Sequence, residues 1–373
     1  MNWEHRRRKI KKNKLGFAWL WILSLLYGAV VLLRRRLYRL GALRAKSLPA
    51  KVICIGNLTA GGAGKTPTVL LAAQTLADRG IPVSILSRGY GRRGRVNDVL
   101  TLLDDNPPPW TACGDEPWMM HHTLLGLNIP ILVCANRFKS GAEAVHFYHS
   151  KVLVLDDGFQ HMKLKRDLDI VLLNAADPFG GGRGRKGRML PLGNLREPVS
   201  GLARAGLVLL THVDRADKEE LKALRERVAE LNPEAPIVES VHEADFFLDL
   251  KTQKKYKPSH IQGEHVVALS AIADPEQFEE TLVGLGARIA QKWRYPDHHP
   301  YTLSEVRAVE SLRGDYPVVT TLKDMTRLPD GWQEATQGQF LALAIRLNIV
   351  KGRQAWTEKL AAVSQLARLA PIG

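Results

Sequence analysis

The stretch KVICIGNLTAGGAGKTP, residues 51–67, constrains the fold more than any other part of the sequence. It begins with a mostly apolar run typical of a buried strand, and the residues that follow Thr66 have helical spacing. Between them, Gly64-Lys65-Thr66 completes the pattern G-x-x-x-x-G-K-[ST], although Thr59 stands where that pattern begins with glycine. A strand, a glycine-rich loop and a helix in this order predict a phosphate-binding P-loop rather than a plain glycine-rich turn.

Main-chain N–H groups would form the phosphate cradle, so threonine at the first position removes no donor. Lys65 would add positive charge, and the Thr66 hydroxyl would ligate Mg²⁺. We therefore predict that ATP contacts Thr59, Ala60, Gly61, Gly62, Ala63, Gly64, Lys65 and Thr66.

A second acidic motif follows another apolar run, VLVLDDGFQH. Its Asp156 and Asp157 stand where a strand would end, which is where a P-loop protein places the carboxylate that holds Mg²⁺. Successive side chains of a strand point in opposite directions, so one acid would contact the metal and the other its surroundings. The sequence leaves open which acid is the ligand.

Short β-branched runs alternate with helical segments along most of the chain, which predicts an α/β fold with a mostly parallel sheet flanked by helices. The glycine- and arginine-rich stretch at residues 180–195 interrupts this alternation, which then resumes. We predict an N-terminal segment over residues 1–40, a P-loop core over 41–200 and a second, smaller α/β lobe over 201–373.

Two further clusters exceed what a simple ATPase needs. SRGYGRRGR places Arg88, Arg92 and Arg93 just beyond the second predicted strand, where open α/β sheets bind ligands. GDEP places Asp115 and Glu116 side by side, and phosphoryl transfer to a hydroxyl needs a carboxylate or histidine near the acceptor. We take Arg88, Arg92, Arg93 and Glu116, with the loop from Arg183 to Arg188, as candidate substrate-binding residues.

The net charge of +15 is concentrated at the N-terminus. The first fifty residues contain thirteen Lys and Arg against Glu4 alone, so they carry +12 of the total. A nucleic-acid-binding protein would spread basic charge through its folded part, so this distribution argues against that class. The three cysteines are widely spaced and odd in number, which fits neither a disulfide framework nor a zinc site.

Residues 15–33 are nineteen uncharged residues between two basic clusters. As a helix they would reach roughly 28 Å, about one hydrocarbon core. The segment lacks a small-residue cleavage site and is followed at once by Arg34, so a signal peptide is a weaker interpretation than membrane attachment. A buried core helix is the other alternative, and basic residues on both sides leave open whether the segment spans or lies on a membrane.

LTAGGAGKTP, SRGYGR, GDEP, LDDGFQH, DHHPY and TTLKD occur in this order over nearly the whole chain, behind the apolar segment. The combination closely resembles the tetraacyldisaccharide 4′-kinase family, the lipid A kinases of Gram-negative bacteria. The resemblance implies transfer of the ATP γ-phosphoryl group to the 4′-hydroxyl of tetraacyldisaccharide 1-phosphate, with Mg²⁺, at the cytoplasmic face of the inner membrane. The remaining predicted partners are inner-membrane lipids, and we expect a monomer.

The resemblance also implies roles for individual residues. Asp115 matches the catalytic base of the family, and His298 matches its histidine partner, with His299 as the alternative. Lys65 and Thr66 match its ATP residues, and Asp156 and Asp157 its Mg²⁺-associated acids.

A membrane-attached GTPase or ATPase switch is the competing hypothesis. Its support is THVD at residues 211–214, which faintly resembles the NKxD signature of guanine specificity but lacks its Asn and Lys. Hydrolysis of nucleotide that is indifferent to a lipid sugar would favour the switch.

Overall fold

The structure is a computed structural model that describes Arg7, Ile10 and residues 13–104, 107–182, 187–272 and 274–369. The helices are α1 (Lys14–Arg39), α2 (Lys65–Ala77), α3 (Trp110–Cys113), α4 (Asp115–Thr123), α5 (Arg137–Tyr148), α6 (Lys218–Leu231), α7 (Pro275–Gly284), α8 (Leu303–Leu312), α9 (Leu322–Met325) and α10 (Arg353–Leu369). The strands are β1 (Lys51–Asn57), β2 (Val83–Ser87), β3 (Leu100–Leu102), β4 (Ile131–Val133), β5 (Val152–Asp156), β6 (Leu168–Asn174), β7 (Leu207–Thr211), β8 (Ile237–Asp249), β9 (Lys255–Tyr256), β10 (His265–Ser270), β11 (Arg288–Arg294), β12 (Val318–Thr321) and β13 (Phe340–Lys351).

The described strands join in one sheet with the order β11-β10-β12-β13-β8-β7-β6-β1-β5-β2-β4-β3, and β9 pairs with β8. The pairs from β7 through β4 are parallel, as are those among β10, β11 and β12. This confirms the predicted mostly parallel sheet. The antiparallel pairs, β8 with β13, β8 with β9 and β3 with β4, were not predicted.

Strands β8 and β13 connect two halves of the molecule. The first residues of β8 pair with β7, and from residue 239 onward β8 pairs with β13, whose own first residues pair with β12. We call residues 41–244 together with 345–369 the first lobe, and residues 245–344 the second lobe. The boundary predicted at residue 200 lies inside the first lobe as defined here, and the division into a P-loop core over 41–200 and a smaller lobe over 201–373 stays a prediction.

Each half of the sheet is buried on both faces, as continuous apolar strands predict. In the first lobe, α2, α4 and α10 cover one face, and α5 and α6 cover the other. In the second lobe, α8 and α9 cover one face and α7 covers the other. The covering of the first lobe includes Trp356 and Leu360 of the C-terminal helix, packed in the same core as Val69 of α2.

Helix α1 is long and apolar enough to cross a membrane, and only 11% of its most apolar 18-residue window is buried. Trp19, Leu26 and Leu33 are each more than half exposed. The segment is therefore not a buried core helix, which rejects that alternative. One side of the helix nevertheless touches the first lobe: Ser24 Oγ donates to the carbonyl of Met189 at 2.9 Å. Further along, Tyr27 Oη donates to the carbonyl of Arg196 at 3.0 Å.

Candidate active site

The predicted P-loop connects the carboxyl end of β1 with the first turn of α2. Gly61 and Gly64 have φ values of 124° and 77°, a region that favours glycine. A Cβ atom at Gly64 would lie only 2.8 Å from Cε1 of His242, so β8 also excludes a side chain there. Ala60 N–H donates to the carbonyl of Asn194 at 2.7 Å, which fixes the start of the loop. The sequence therefore forms the glycine-dependent turn that the motif predicts.

Lys65 begins α2, and its side chain is directed back across the loop. Its Nζ lies 3.4 Å from Oδ1 of Asn57 and 3.8 Å from Oδ1 of Asp157. The lysine thus lies between the loop and the acids at the end of β5. Thr66 follows it in the first turn of α2, where its residue position matches the Mg²⁺ ligand of a P-loop.

Two buried histidines support the loop from β7 and β8. Nδ1 of His242 lies 3.1 Å from Nδ1 of His212, so one of the two rings must carry the shared proton. Burial lowers the pKa of His212 to about 4 and that of His242 to about 3. The pair is therefore neutral at pH 7 and adds no charge next to the phosphate cradle.

Asp156 ends β5 and is buried. Its Oδ2 accepts a hydrogen bond from Ser87 Oγ at 3.0 Å, whereas its Oδ1 has no hydrogen-bond partner among the described residues. Burial raises the pKa of Asp156 to about 7, with repulsion from Glu116 and Asp157 acting in the same direction. A buried oxygen without a partner, on a carboxyl that is costly to ionise, is suited to a cation that the protein itself does not supply.

Asp157 has a different environment. Both of its carboxylate oxygens accept hydrogen bonds from Nη1 of Arg196, at 2.9 and 2.8 Å. Burial would raise the pKa of Asp157, but Lys65 and Arg196 outweigh burial and hold it below its usual range. The two acids therefore face different surroundings: Asp156 ends the strand, whereas Asp157 follows it with a φ of 46°. Among the described residues, Asp157 is in an ion pair and Asp156 is not.

Asp115 begins α4, directly after Gly114. Gly114 has a φ of 98°, and a Cβ atom there would lie 3.1 Å from the carbonyl oxygen of Tyr90. The glycine of GDEP thus lets the SRGYGR loop pack against the first turn of α4. That turn is directed toward the second lobe, and α4 contacts α9.

Asp115 of the first lobe meets His298 and Arg327 of the second. Its Oδ2 lies 2.9 Å from Nδ1 of His298 and 2.6 Å from Nη2 of Arg327. The side chain of Arg327 is only 1% exposed. Burial would raise the pKa of Asp115, but hydrogen bonds from His298 and Arg327 outweigh it and hold that pKa well below its usual range. An ionised carboxylate only accepts hydrogen bonds, so Nδ1 of His298 carries the proton that it shares with Asp115.

The second lobe positions both partners of Asp115. Arg327 Nη1 donates to Oδ1 of Asp324 at 3.2 Å and to the carbonyl of Ala271 at 2.9 Å, which fixes the guanidinium. His298 has a φ of 63° and donates its main-chain N–H to the same carbonyl at 3.1 Å. On the other side of its ring, Nε2 lies 3.4 Å from Nζ of Lys323. DHHPY and TTLKD thus meet at Asp115.

His299 is directed elsewhere. Its Nε2 lies 3.0 Å from Oε1 of Glu305, and its ring stacks on that of Tyr295 with centroids 4.8 Å apart. Glu305 is also the last residue of the capping box that begins α8. His299 therefore stabilises the second lobe locally, and His298 is the histidine that contacts Asp115.

The predicted substrate residues differ in placement. Arg92 donates to the carbonyls of Val133, Arg95 and Asp98, so its guanidinium holds its own loop. Arg88 and Arg93 are exposed. Glu116 lies close enough to Asp156 to raise its pKa, which places it beside the nucleotide site. Arg183 lies outside the described residues, as does everything up to residue 186, whereas Arg188 contacts Phe17 of α1 through its guanidinium, 5.5 Å from the ring centroid.

Three arginines of the site were not predicted from the sequence. Arg327 had a weak signal, since it stands one helical turn after the aspartate of TTLKD. Arg196 had none, because its partner Asp157 is distant in sequence. Arg137, the first residue of α5, is 5% exposed and feels the charges of Asp156 and Asp157.

The chain is similar over most of its length to one family of proteins. A family model described as Tetraacyldisaccharide-1-P 4'-kinase matches residues 17–365. A tetraacyldisaccharide 4'-kinase of Elusimicrobium minutum is 40% identical over 355 residues, which are 95% of this chain and 93% of the relative. One of Anaeromyxobacter dehalogenans is 40% identical over 329 residues, 87% of this chain and 85% of the relative.

A solved structure has the same fold. LpxK from Aquifex aeolicus, in a crystal structure described as a complex with ATP, superimposes with a TM-score of 0.72 at 28% sequence identity. The match covers 91% of this chain and 97% of the other. The similarity therefore includes both lobes as well as the P-loop region.

Proposed function

This chain belongs to the tetraacyldisaccharide-1-P 4′-kinase family, and we propose that it transfers the γ-phosphoryl group of ATP to the 4′-hydroxyl of tetraacyldisaccharide 1-phosphate. The reaction is a step of lipid A biosynthesis. ATP is the phosphoryl donor, and Mg²⁺ accompanies it as in other P-loop kinases.

The observation that carries this function is the position of Asp115. Its carboxylate lies between the lobes, held by His298 and Arg327, while its neighbour Glu116 is next to Asp156 of the nucleotide site. A P-loop that only hydrolyses nucleotide needs no carboxylate held in this way by a second lobe. A kinase needs one to orient an acceptor hydroxyl toward the γ-phosphate.

The residues present fit a magnesium–nucleotide complex. The unpaired Oδ1 of Asp156 offers a carboxylate oxygen, the ligand type that Mg²⁺ prefers, and Thr66 would add its hydroxyl. Asp157, already paired with Arg196, would act on the surroundings of the metal. When bound, Mg²⁺ neutralises charge that develops on the phosphoryl oxygens. Lys65 and the N–H groups of residues 59–66 would hold the phosphates.

Asp115 would accept the hydrogen bond of the 4′-hydroxyl and orient it. The O–H bond breaks as the new O–P bond forms, and the bond from the γ-phosphorus to its leaving oxygen breaks with its electrons on ADP. The hydroxyl proton passes to Asp115. Because Arg327 and His298 occupy Oδ2, the acceptor would use Oδ1, which otherwise accepts only the main-chain N–H of Glu116, at 3.0 Å. His298 positions the carboxylate through the N–H that its Nδ1 donates to Oδ2, and the proton taken up by Asp115 would afterwards leave to solvent.

Arg88, Arg93 and Glu116 remain candidates for binding the other parts of the lipid substrate, because they lie at the same end of the sheet as the P-loop and Asp115. Arg92 stays a prediction, with its loop contacts as the alternative role. The monomeric state stays a prediction.

We infer that α1 lies along the membrane surface rather than crossing it. Its contacts with the first lobe extend from Phe17 to Arg35, roughly 27 Å of helix. A helix held against the folded body over that length could cross a bilayer only if the body entered it too. An interfacial helix with exposed Trp and Leu and basic flanks fits the pattern of membrane-surface binding. Because the nucleotide site needs ATP, we place the enzyme on the cytoplasmic face of the inner membrane.

Phosphoryl transfer tests the activity directly. The full-length protein in detergent micelles would be given γ-labelled ATP and tetraacyldisaccharide 1-phosphate, with and without Mg²⁺. We expect Mg²⁺-dependent label in the lipid. Release of free phosphate at a rate that the lipid does not change would favour the nucleotide-switch hypothesis instead.

Paired charge insertions test the membrane assignment. Leu26→Glu with Leu33→Glu should reduce flotation with vesicles strongly, because both side chains are exposed on α1. Val283→Glu with Leu312→Glu is the matched control, since these exposed apolar residues belong to the second lobe. Deletion of residues 1–33 should likewise release the protein from membranes while ATP binding remains. Undiminished flotation of the α1 variant would place the main anchor elsewhere.

A further inference from the structure

A cavity of about 710 Å³ lies between the end of α1 and the first lobe. Its walls include Leu164 and Lys165, just before β6, and Ser200 and Arg204, just before β7. These strands are parallel to β1, whose carboxyl end leads into the P-loop. The cavity therefore lies toward the amino ends of the strands, away from the edge that holds the nucleotide site. Its volume is in the range of small-molecule sites.

The charge of the lining is strongly positive. Its cationic residues are Arg35, Arg39, Lys165, Arg166 and Arg204, and Asp169 is its one acid. Two of the cations have carboxylate partners: Arg166 lies 3.1 Å from Asp169, and Arg204 lies 2.6 Å from Glu197. Within the described parts of the chain, Arg35, Arg39 and Lys165 have no such partner. The excess of cations at one cavity indicates an anionic ligand.

Buried guanidinium nitrogens at this wall lack partners. Nη1 of Arg35 and both Nε and Nη1 of Arg204 are inaccessible to solvent and have no hydrogen bond among the described residues. Arg35 uses Nη2 for the carbonyl of Ser200, at 3.4 Å, and Arg204 uses Nη2 for Glu197. Because solvent does not reach these nitrogens, they do not face the cavity directly, and the guanidinium of Arg204 packs over the ring of Phe159, 4.1 Å from its centroid. They nevertheless leave positive charge in the wall that a phosphate in the cavity would offset.

The remaining walls are apolar and lead to the exposed face of α1. Leu32, Leu43 and Met162 line the cavity with Leu164, and Leu33 beside them is 58% exposed on the helix. A free anion makes no use of these side chains. A molecule with a phosphate head and hydrocarbon chains would place the head at the arginines and the chains along α1.

We propose that this cavity binds the phosphate headgroup of an anionic membrane phospholipid, at a site separate from the one that phosphorylates the substrate. The shared chemistry is a phosphate carried by a lipid, so the lipid substrate's own phosphate is the competing source. Position favours the membrane lipid, since the cavity faces away from the carboxyl edge of the sheet. The bound lipid would hold α1 against the first lobe at the membrane surface.

A charge-matched pair of variants tests the site. Arg39→Gln with Lys165→Gln removes two exposed lining cations that make no ion pair with a described residue. Arg36→Gln with Lys163→Gln removes the same charge from neighbouring exposed positions that do not line the cavity. The probe is dihexanoyl phosphatidylglycerol below its micelle concentration, added to the full-length protein, with binding read from the rise in melting temperature. Dihexanoyl phosphatidylcholine and inorganic phosphate are the comparison ligands.

The cavity variant should need about tenfold more phosphatidylglycerol for half of the stabilisation, and the control variant the same amount as the unaltered protein. Equal losses in both variants would mean unspecific attraction and overturn the proposal, as would no loss in either. Inorganic phosphate that stabilises at the same concentration as the lipid would make this a free-anion site. A higher KM for the lipid substrate with unchanged phosphatidylglycerol binding would assign the cavity to the substrate. Stabilisation by Mg²⁺ and ATP, which bind elsewhere, should be unchanged in both variants and shows that they are folded.

Discussion

Asp115 and Asp156 are two buried carboxylates of one cleft, and their pKa values are shifted in opposite directions. Burial acts on both in the same sense, raising the pKa. Asp115 accepts hydrogen bonds from His298 and Arg327, and these hold its pKa well below the usual range. Asp156 has Glu116 and Asp157 near it, and its pKa rises to about 7. The difference lies in the neighbours that the fold supplies, because residue type and burial are the same.

The comparison separates two kinds of functional acid. The charge of Asp115 is balanced by the protein itself, so it is ready to orient a hydroxyl once the lobes meet. The charge of Asp156 is offset only at longer range, by Lys65 and Arg137, and its Oδ1 has no partner among the described residues. The positive charge that neutralises Asp156 has to come from the metal ion that binds with the nucleotide.

The largest expected effect is that of Asp115→Asn. Asparagine keeps the shape but cannot take the hydroxyl proton, so turnover should fall by about 10³-fold while ATP affinity changes little. Steady-state kinetics with both substrates measures this. Lys65→Ala is the contrasting variant and should weaken ATP binding and turnover together, since Lys65 faces the phosphate loop. Near-normal turnover of Asp115→Asn would contradict the comparison, because Asp115 would then have no catalytic role.

His298→Ala should lower turnover by about 10²-fold, because it removes the group that shares a proton with Asp115. His298→Asn should recover part of the loss, since asparagine tolerates a positive φ and offers an N–H near the position of Nδ1. His299→Ala serves as the control and should change turnover by less than about threefold, given its contact with Glu305 instead. A larger loss in His299→Ala than in His298→Ala would reverse the assignment.

Arg327→Lys should cost about tenfold in turnover and alter the pH dependence. In the unaltered protein the low pKa keeps Asp115 ionised well below pH 3.8, so Asp115 adds no acid limb to the profile. Weaker hydrogen bonding to the carboxylate raises that pKa, and activity should then fall as the pH decreases toward the new value. The measurement is kcat/KM between pH 5 and 8, scaled to the maximum of each enzyme. Superimposable profiles would show that Arg327 does not control the ionisation of Asp115.

The smallest expected effect is on stability, and its sign distinguishes the two acids. Without nucleotide at pH 8, Asp156→Asn should stabilise the protein by about 1 kcal/mol, because it removes a buried charge repelled by Glu116 and Asp157. Asp115→Asn should destabilise it by a few kcal/mol, since Arg327 loses its partner. Thermal unfolding of both variants measures the difference. Destabilisation by both would show that Asp156 is already balanced by the protein.

Local patterns in the sequence predict the nucleotide site around Asp156 better than the arrangement around Asp115. The loop at residues 59–66 and the acids after β5 are recognisable because each motif is continuous and adjoins an apolar strand. The arrangement around Asp115 joins residues that are 183 and 212 positions apart. Residue spacing carries no such information, and it was the family resemblance that linked Asp115 with His298. Arg327, which carries the strongest contact, was not predicted.

The order of the strands in the sheet is likewise not predicted by local sequence patterns. Strands β8 and β13 are long, with 13 and 12 residues, and their pairing decides which later segments belong to which lobe. The strand at residues 207–211 and α6 lie in the part of the chain that was predicted to form the second lobe. In the structure this strand pairs with β6, and α6 packs in the core of the first lobe. Apolar periodicity identifies the elements, whereas sheet order depends on contacts between distant parts of the chain.

The position of α10 determines when the protein can finish folding. Trp356, Leu360 and Val363 fill the core beneath α2, and 287 residues separate Val69 from Trp356. During synthesis the N-terminal part emerges first, with its strands formed but this face of the sheet uncovered. The nucleotide-binding half therefore closes its core only after the last helix has left the ribosome. Until α10 has been synthesised, the apolar side chains beneath α2 that it covers would face solvent.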